Sequence, residues 1–154
     1  MKNKITYSLL LLLFCTASLF GQRGLAGVWK GKITKGGIHS SEGYDFELYL
    51  EVDGKDLRGK TYTYLPNNEI IEMQVRGYIF KDRSLNLFEY EFIPQPEQGL
   101  PPDFDRKYQL VFKNSAFESQ ISLNGYWQQV TPMPFMPERK RGRIFLKKVT
   151  VSKA

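Results

Sequence analysis

The chain has 154 residues, of which 42% are hydrophobic and 25% charged, with a formal charge of +6. That length gives one domain rather than two ordinary cores, and the composition excludes a disordered chain. One Cys and one His, beside 9 Tyr and 11 Phe, exclude a cysteine-rich zinc site, a disulfide scaffold and any Ser-His-Asp triad not built on His39.

Residues 1–21 read as a secretory signal peptide. Lys2 and Lys4 precede an apolar run from Leu9 to Phe14, and small or polar residues follow through Ala17, Ser18 and Gly21. The run is shorter than the ~20 apolar residues of a membrane-spanning helix. Cleavage is expected between Gly21 and Gln22, which makes the protein exported, either periplasmic or secreted. Lipid attachment at Cys15 is not expected, because a lipobox places a small residue before its Cys and Phe14 stands there. Removal of 1–21 leaves 20 basic against 16 acidic side chains, a charge of +4, and no cysteine. The mature domain, 22–154, must then be held by its core without a disulfide.

The rest of the chain alternates with period two and shows no three-turn helical pattern. In Tyr44-Asp-Phe46-Glu-Leu48-Tyr-Leu50-Glu-Val52, the odd-spaced apolar residues share one face and Asp45, Glu47, Tyr49 and Glu51 the other. Strands are expected near 25–34, 44–53, 57–65, 69–81, 84–93, 105–113, 117–130 and 141–152. The fourth presents Ile71, Met73, Val75, Gly77 and Ile79 on one face, and the seventh Phe117, Ile121, Leu123, Gly125 and Trp127. Tight connections fall at Asp53–Asp56, Lys81–Arg83 and Asn114–Ala116, where Gly, Asp and Asn favour short turns. Longer ones fall at Lys35–Gly43, Pro66–Asn68, Pro94–Phe104 and Thr131–Lys140. Tight and long connections alternate, so a meander puts every long loop at one end. Eight antiparallel strands also bring the last beside the first. The expected fold is all-β, an eight-stranded antiparallel up-and-down barrel with a plain base and a decorated rim.

Gly27-Val28-Trp29 at the start of the first strand, in such a barrel, resembles the lipocalin-like (calycin) superfamily. The lipocalin Thr-Asp-Tyr segment is missing. The resemblance implies that Trp29 packs across the closed end under a basic residue of the last strand. Register points to Lys147 or Lys148, with Lys148 the expected structural partner of Trp29 at the base. Asp53-Gly54-Lys55-Asp56-Leu57-Arg58-Gly59-Lys60-Thr61-Tyr62-Thr63 is similar to the second hairpin of the avidin family, and this implies Tyr62 as a ligand contact. Lys30-Gly31-Lys32 replaces that family's polar first loop and its later pocket tryptophans are largely absent, so biotin is not the expected ligand.

Strand order gathers further aromatics near the long-loop rim: Tyr44 and Phe46, Tyr64, Tyr90 and Phe92, Tyr108 and Trp127. Tyr62, Tyr64, Tyr90, Tyr108 and Trp127 are the candidate ligand-binding residues, since aromatic barrel mouths suit apolar or sugar-like ligands. The same rings also serve to fill a small barrel, and both readings stay open. Leu25-Ala-Gly27-Val-Trp29 recurs as Leu123-Asn-Gly125-Tyr-Trp127, read as convergence on a shape in which Gly lets a large ring cross the sheet. The rim adds the stiff Pro94–Pro102 loop and an apolar tip, Met133, Phe135 and Met136, running into Arg139, Lys140, Arg141 and Arg143.

The expected function is exported, non-catalytic binding of a small apolar, aromatic or sugar-like ligand at the long-loop end. The alternative is a protein-interaction or inhibitor module using rim loops 94–104 and 131–140. A small outer-membrane barrel is the third reading, against which stand the charges of Lys147 and Lys148 on both faces of the last strand and the absence of an aromatic at Ala154. No cofactor, metal or nucleic acid is expected, and contact with a membrane is left open. No catalytic residue is assigned. His39 lies in a flexible glycine-rich segment, and Glu89 with Glu91 is read as the solvated face opposite Phe88, Tyr90 and Phe92.

Overall fold

The computed structural model describes residues 24–93, 105–114, 120–130 and 140–150. The signal segment with Cys15 and its cleavage site, loop 94–104, Phe117, the apolar tip 131–139 and residues 151–154 lie outside the described residues. Eight strands form: β1 (Gly27–Thr34), β2 (Gly43–Asp53), β3 (Asp56–Tyr64), β4 (Ile70–Ile79), β5 (Ser84–Ile93), β6 (Arg106–Lys113), β7 (Ser122–Gln129) and β8 (Arg141–Lys148). Each pairs antiparallel with the next, and β8 returns to pair with β1, closing an up-and-down barrel. Each strand thereby has a neighbour on both sides, β5 meeting β6 over Ser84–Phe88.

The turns follow from local chemistry. Gly54 takes the left-handed conformation (φ 58°) between β2 and β3. Between β4 and β5 it is Arg83 (φ 65°), not Asp82, that adopts it. The Asp82 carboxylate instead accepts hydrogen bonds from the Ser84 N–H at 3.0 Å and the Ser84 hydroxyl at 2.7 Å, which fixes the turn and holds Asp82 below its ordinary pKa. β4 accordingly stops at Ile79, where this turn begins, rather than at 81. β7 begins at Ser122 rather than 117, and β8 ends at Lys148 rather than 152.

Alternation sorts the side chains. One contiguous interior cluster runs from Leu25 and Trp29 through Leu48, Leu85 and Leu110 to Leu146. On the outer wall Lys30 pairs with Glu47 at 2.7 Å and Lys60 with Glu72 at 2.8 Å across neighbouring strands.

Around its middle the interior is filled rather than hollow. Leu48, Thr61, Thr63, Leu87 and Tyr108 each have zero accessible surface, so no water-sized void touches them. Two grooves that described residues line both lie on the outer wall.

The expected face of β5 is corrected. Leu85 and Leu87 point inward, and Glu89 shares their parity. A bulge follows: Val75 pairs with Glu89 but Gln74 with Glu91, leaving Tyr90 as the extra residue. Glu89 is therefore buried, while Phe88 and Tyr90 are exposed on the outer wall.

Candidate functional site at the long-loop end

The inner face is apolar toward the tight turns and polar toward the long loops. Arg106 opens β6 and Tyr108 follows two residues later on the same face. The Arg106 guanidinium donates to Glu89 from Nη2 at 2.9 Å and from Nε at 3.1 and 3.2 Å, and the Arg106 backbone N–H adds a bond at 3.1 Å. Nη2 also donates to the Thr63 hydroxyl at 3.2 Å, reaching from β6 to β3. The Tyr108 hydroxyl donates to Glu89 Oε1. Both members of the ion pair are buried, with side chains 5% and 0% exposed.

Aromatic rings enclose this network. The guanidinium carbon lies 5.6 Å from the Trp127 ring, 5.8 Å from Tyr108 and 5.9 Å from Phe46. Phe46 and Tyr108 meet edge to face at 6.0 Å. Trp127 donates its indole N–H to the Thr34 carbonyl at 2.8 Å, tying β7 to the end of β1. The ring lies over Gly142, where a Cβ would come within 2.5 Å of Nε1. The Gly that admits this indole is thus on β8, directly paired with Trp127.

Burial acts on these groups in opposite directions. It pushes the Tyr108 phenol well above its ordinary pKa, the Glu89 charge adding to the effect and the Arg106 charge opposing it. For Arg106 burial works against the charged form, but the Glu89 and Tyr108 interactions outweigh it and the guanidinium stays charged.

Of the sequence candidates, Tyr108 and Trp127 meet in this cluster, and Tyr62, Tyr64 and Tyr90 do not. Thr61 and Thr63 take the inward positions of β3, so Tyr62 and Tyr64 face outward. Tyr62 packs edge to face on Tyr49 at 5.3 Å. Tyr90 lies under Arg76 at 5.1 Å and is 50% exposed. Assigning these three to a barrel mouth is therefore corrected: strand parity directs them to the wall. Glu89, Arg106 and Thr63 were not among the candidates. Their signal is parity alone, since Leu85-x-Leu87-x-Glu89 and Arg106-x-Tyr108-x-Leu110-x-Phe112 each run a charge onto an apolar face.

At the opposite end Trp29 is fully buried, donates to the Leu25 carbonyl at 2.9 Å and meets Phe112 edge to face at 6.0 Å. Its register partner is Lys148, whose ammonium lies 5.6 Å from the indole ring and donates to the Gly24 carbonyl. Burial lowers the Lys148 pKa. Gly27 lies beside the lysine stem in a left-handed conformation (φ 124°) that favours glycine.

His39 is exposed on the β1–β2 connection, and among the described residues no group of three His, Cys, Asp or Glu is placed to hold a metal ion. No protein-family model matches the chain, and comparisons with curated proteins and with solved structures likewise gave no match.

Proposed function

We propose that this is an exported, non-catalytic binding module of lipocalin-like type, taking a small ligand with a polar head at the long-loop end. The observation that carries the reading is the buried Arg106–Glu89–Tyr108 network. A buried ion pair is costly to desolvate and is often no more stable than apolar residues of the same volume. The base half of the same barrel is filled with leucines and aromatics, so the fold has no need of charges to close its core. Charges concentrated at the end where the long connections meet serve recognition better than stability. Trp127 and Gln129, 8–9% exposed, are the inward residues of this end that reach solvent, while the Glu89 side chain is fully covered, so a ligand would meet Trp127 and Gln129 first. Trp29 under Lys148 supports the lipocalin-like assignment.

A second reading rests on the filled interior. With no void against Thr61, Thr63 or Tyr108, a ligand inside the barrel must displace side chains, whereas a protein partner on rim loops 94–104 and 131–140 need displace none. Native mass spectrometry of the protein purified from its own host separates the two. A small adduct, lost on denaturation and absent from an Arg106→Met/Glu89→Leu variant that still folds, supports the ligand. Bare protein, with a partner captured from the extracytoplasmic fraction by wild type but not by a chain lacking 131–139, supports the partner.

A further inference from the structure

We propose that the outer wall carries a separate binding site, a groove of about 950 Å³ across β5 to β8 toward the tight-turn end, that takes an anionic oligosaccharide. The site does not depend on the reading of the barrel mouth. Its floor is a set of side-chain amides. Asn86 and Gln109 are direct cross-strand neighbours, and Asn124 lies one row nearer the base. Its walls are rings standing out from the barrel: Phe80 at 48%, Tyr126 at 55% and Phe145 at 41% exposure. Tyr126 pairs with Gln109, and Phe145 with Asn124, so each of these rings stands beside an amide.

That pairing matches the two surfaces of a pyranose. Exposed rings accept its C–H face, and amides both donate to and accept from its hydroxyls. The charge selects an anion. Among the described residues Lys81, Lys113 and Arg143 line the groove with one acid, Asp82, which accepts from Ser84. Arg143 is held in place, its guanidinium carbon 4.8 Å from the Phe145 ring. Its Nε is buried without a hydrogen-bond partner among the described residues. From β5 to β8 the groove crosses three strand spacings, ~14 Å, the reach of a short oligosaccharide.

Other occupants fit less well. An extended peptide has no free edge to join in the groove, whose strands β5 to β8 are paired with one another there. A lipid surface or an apolar helix would bury three amides without partners. A second copy packed face to face would set Lys81, Lys113 and Arg143 against themselves.

Titration calorimetry with the mature protein provides the test, using an oligouronate, a sulfated oligosaccharide and a neutral oligosaccharide of equal length. One of the two anionic chains should bind and the neutral chain should bind more weakly; which anion binds tells a carboxylated from a sulfated ligand. Tyr126→Ala and Arg143→Gln should each weaken that binding about tenfold. Tyr90→Ala, an equally exposed ring outside the groove, should leave it unchanged. Thermal melts of each variant separate lost binding from lost fold. The proposal is overturned if neither anionic chain binds, if the neutral chain binds as well, or if Tyr126→Ala and Tyr90→Ala behave alike, which would leave only diffuse attraction to a basic protein.

Discussion

Glu89 and Arg106 form an ion pair inside the barrel, joined by three side-chain hydrogen bonds and one from the Arg106 backbone. Removing one partner strands a buried charge, whereas removing both leaves a space that apolar side chains can fill. Arg106→Met alone should therefore cost ~3–5 kcal/mol, and Glu89→Leu alone a comparable amount. The double variant should be more stable than either single one, most clearly with Tyr108→Phe added to remove the orphaned hydroxyl. Urea unfolding of wild type and these four variants measures this. A double variant whose loss equals the sum of the singles would show the pair to be uncoupled.

Tyr108 makes the alkaline limit of the fold predictable. Its folded pKa lies above its unfolded value, so above pH ~10 the unfolded chain releases a proton that the folded chain retains. The stability tied to this phenol is fully present below pH ~10 and is lost as pH rises from there toward the folded pKa. Tyr108→Phe should lose stability near neutrality, by ~1–3 kcal/mol because Glu89 loses a donor, and should then decline less steeply than wild type above pH ~10. Parallel stability curves for the two proteins would mean that Tyr108 ionises as freely in the fold as out of it.

The barrel was legible because its alternation is strong where the core needs it. Tyr44 to Val52 and Ile71 to Ile79 each carry five positions of one parity, and both point inward as read. The site was legible only in part. On β3 the sole large aliphatic at an inward position is Leu57, and Gly59, Thr61 and Thr63 give no hydrophobic cue against Tyr62 and Tyr64. On β5 the rings of Phe88 and Tyr90 competed with Leu85 and Leu87, and a ring outweighs a carboxylate in any reading that equates burial with hydrophobicity. Glu89 is inside because Arg106, 17 positions away, neutralises it there. That partnership is a tertiary fact, and the Val75–Glu89 register beside a bulge is another.

Trp29 should prove the keystone of the base. Trp29→Ala removes a fully buried ring and its bond to Leu25, and should destabilise by ~3–5 kcal/mol. Lys148→Met tests the cation above it. Burial sets the folded pKa of Lys148 below its unfolded value, so the unfolded chain binds more protons in that interval and wild-type stability gains a rising contribution as pH approaches ~10.4. Lys148→Met should lack that rise. Chemical denaturation at a series of pH values reads the difference, and identical profiles for the two proteins would place the ammonium in free solvent.

The last prediction concerns Trp127 and the glycine beneath it. The indole reaches Thr34 only because Gly142 has no side chain: a Cβ there would lie 2.5 Å from Nε1. Gly142→Ala must push the ring off the Thr34 carbonyl and move β8 away from the end of β1, since the added Cβ would also lie 2.3 Å from the Thr34 carbonyl oxygen. Overpacking of this kind costs ~1–3 kcal/mol. The displaced indole should also meet more water, so its emission should shift to longer wavelength. In a Trp29→Phe background, where Trp127 is the sole indole, that shift is read without interference. Because Trp127 stands at the mouth beside Arg106, the same substitution should weaken any ligand held there. A Gly142→Ala protein with unchanged emission and melting would mean that the indole does not cross this glycine, and the mouth would then have to be rebuilt around another position of Trp127.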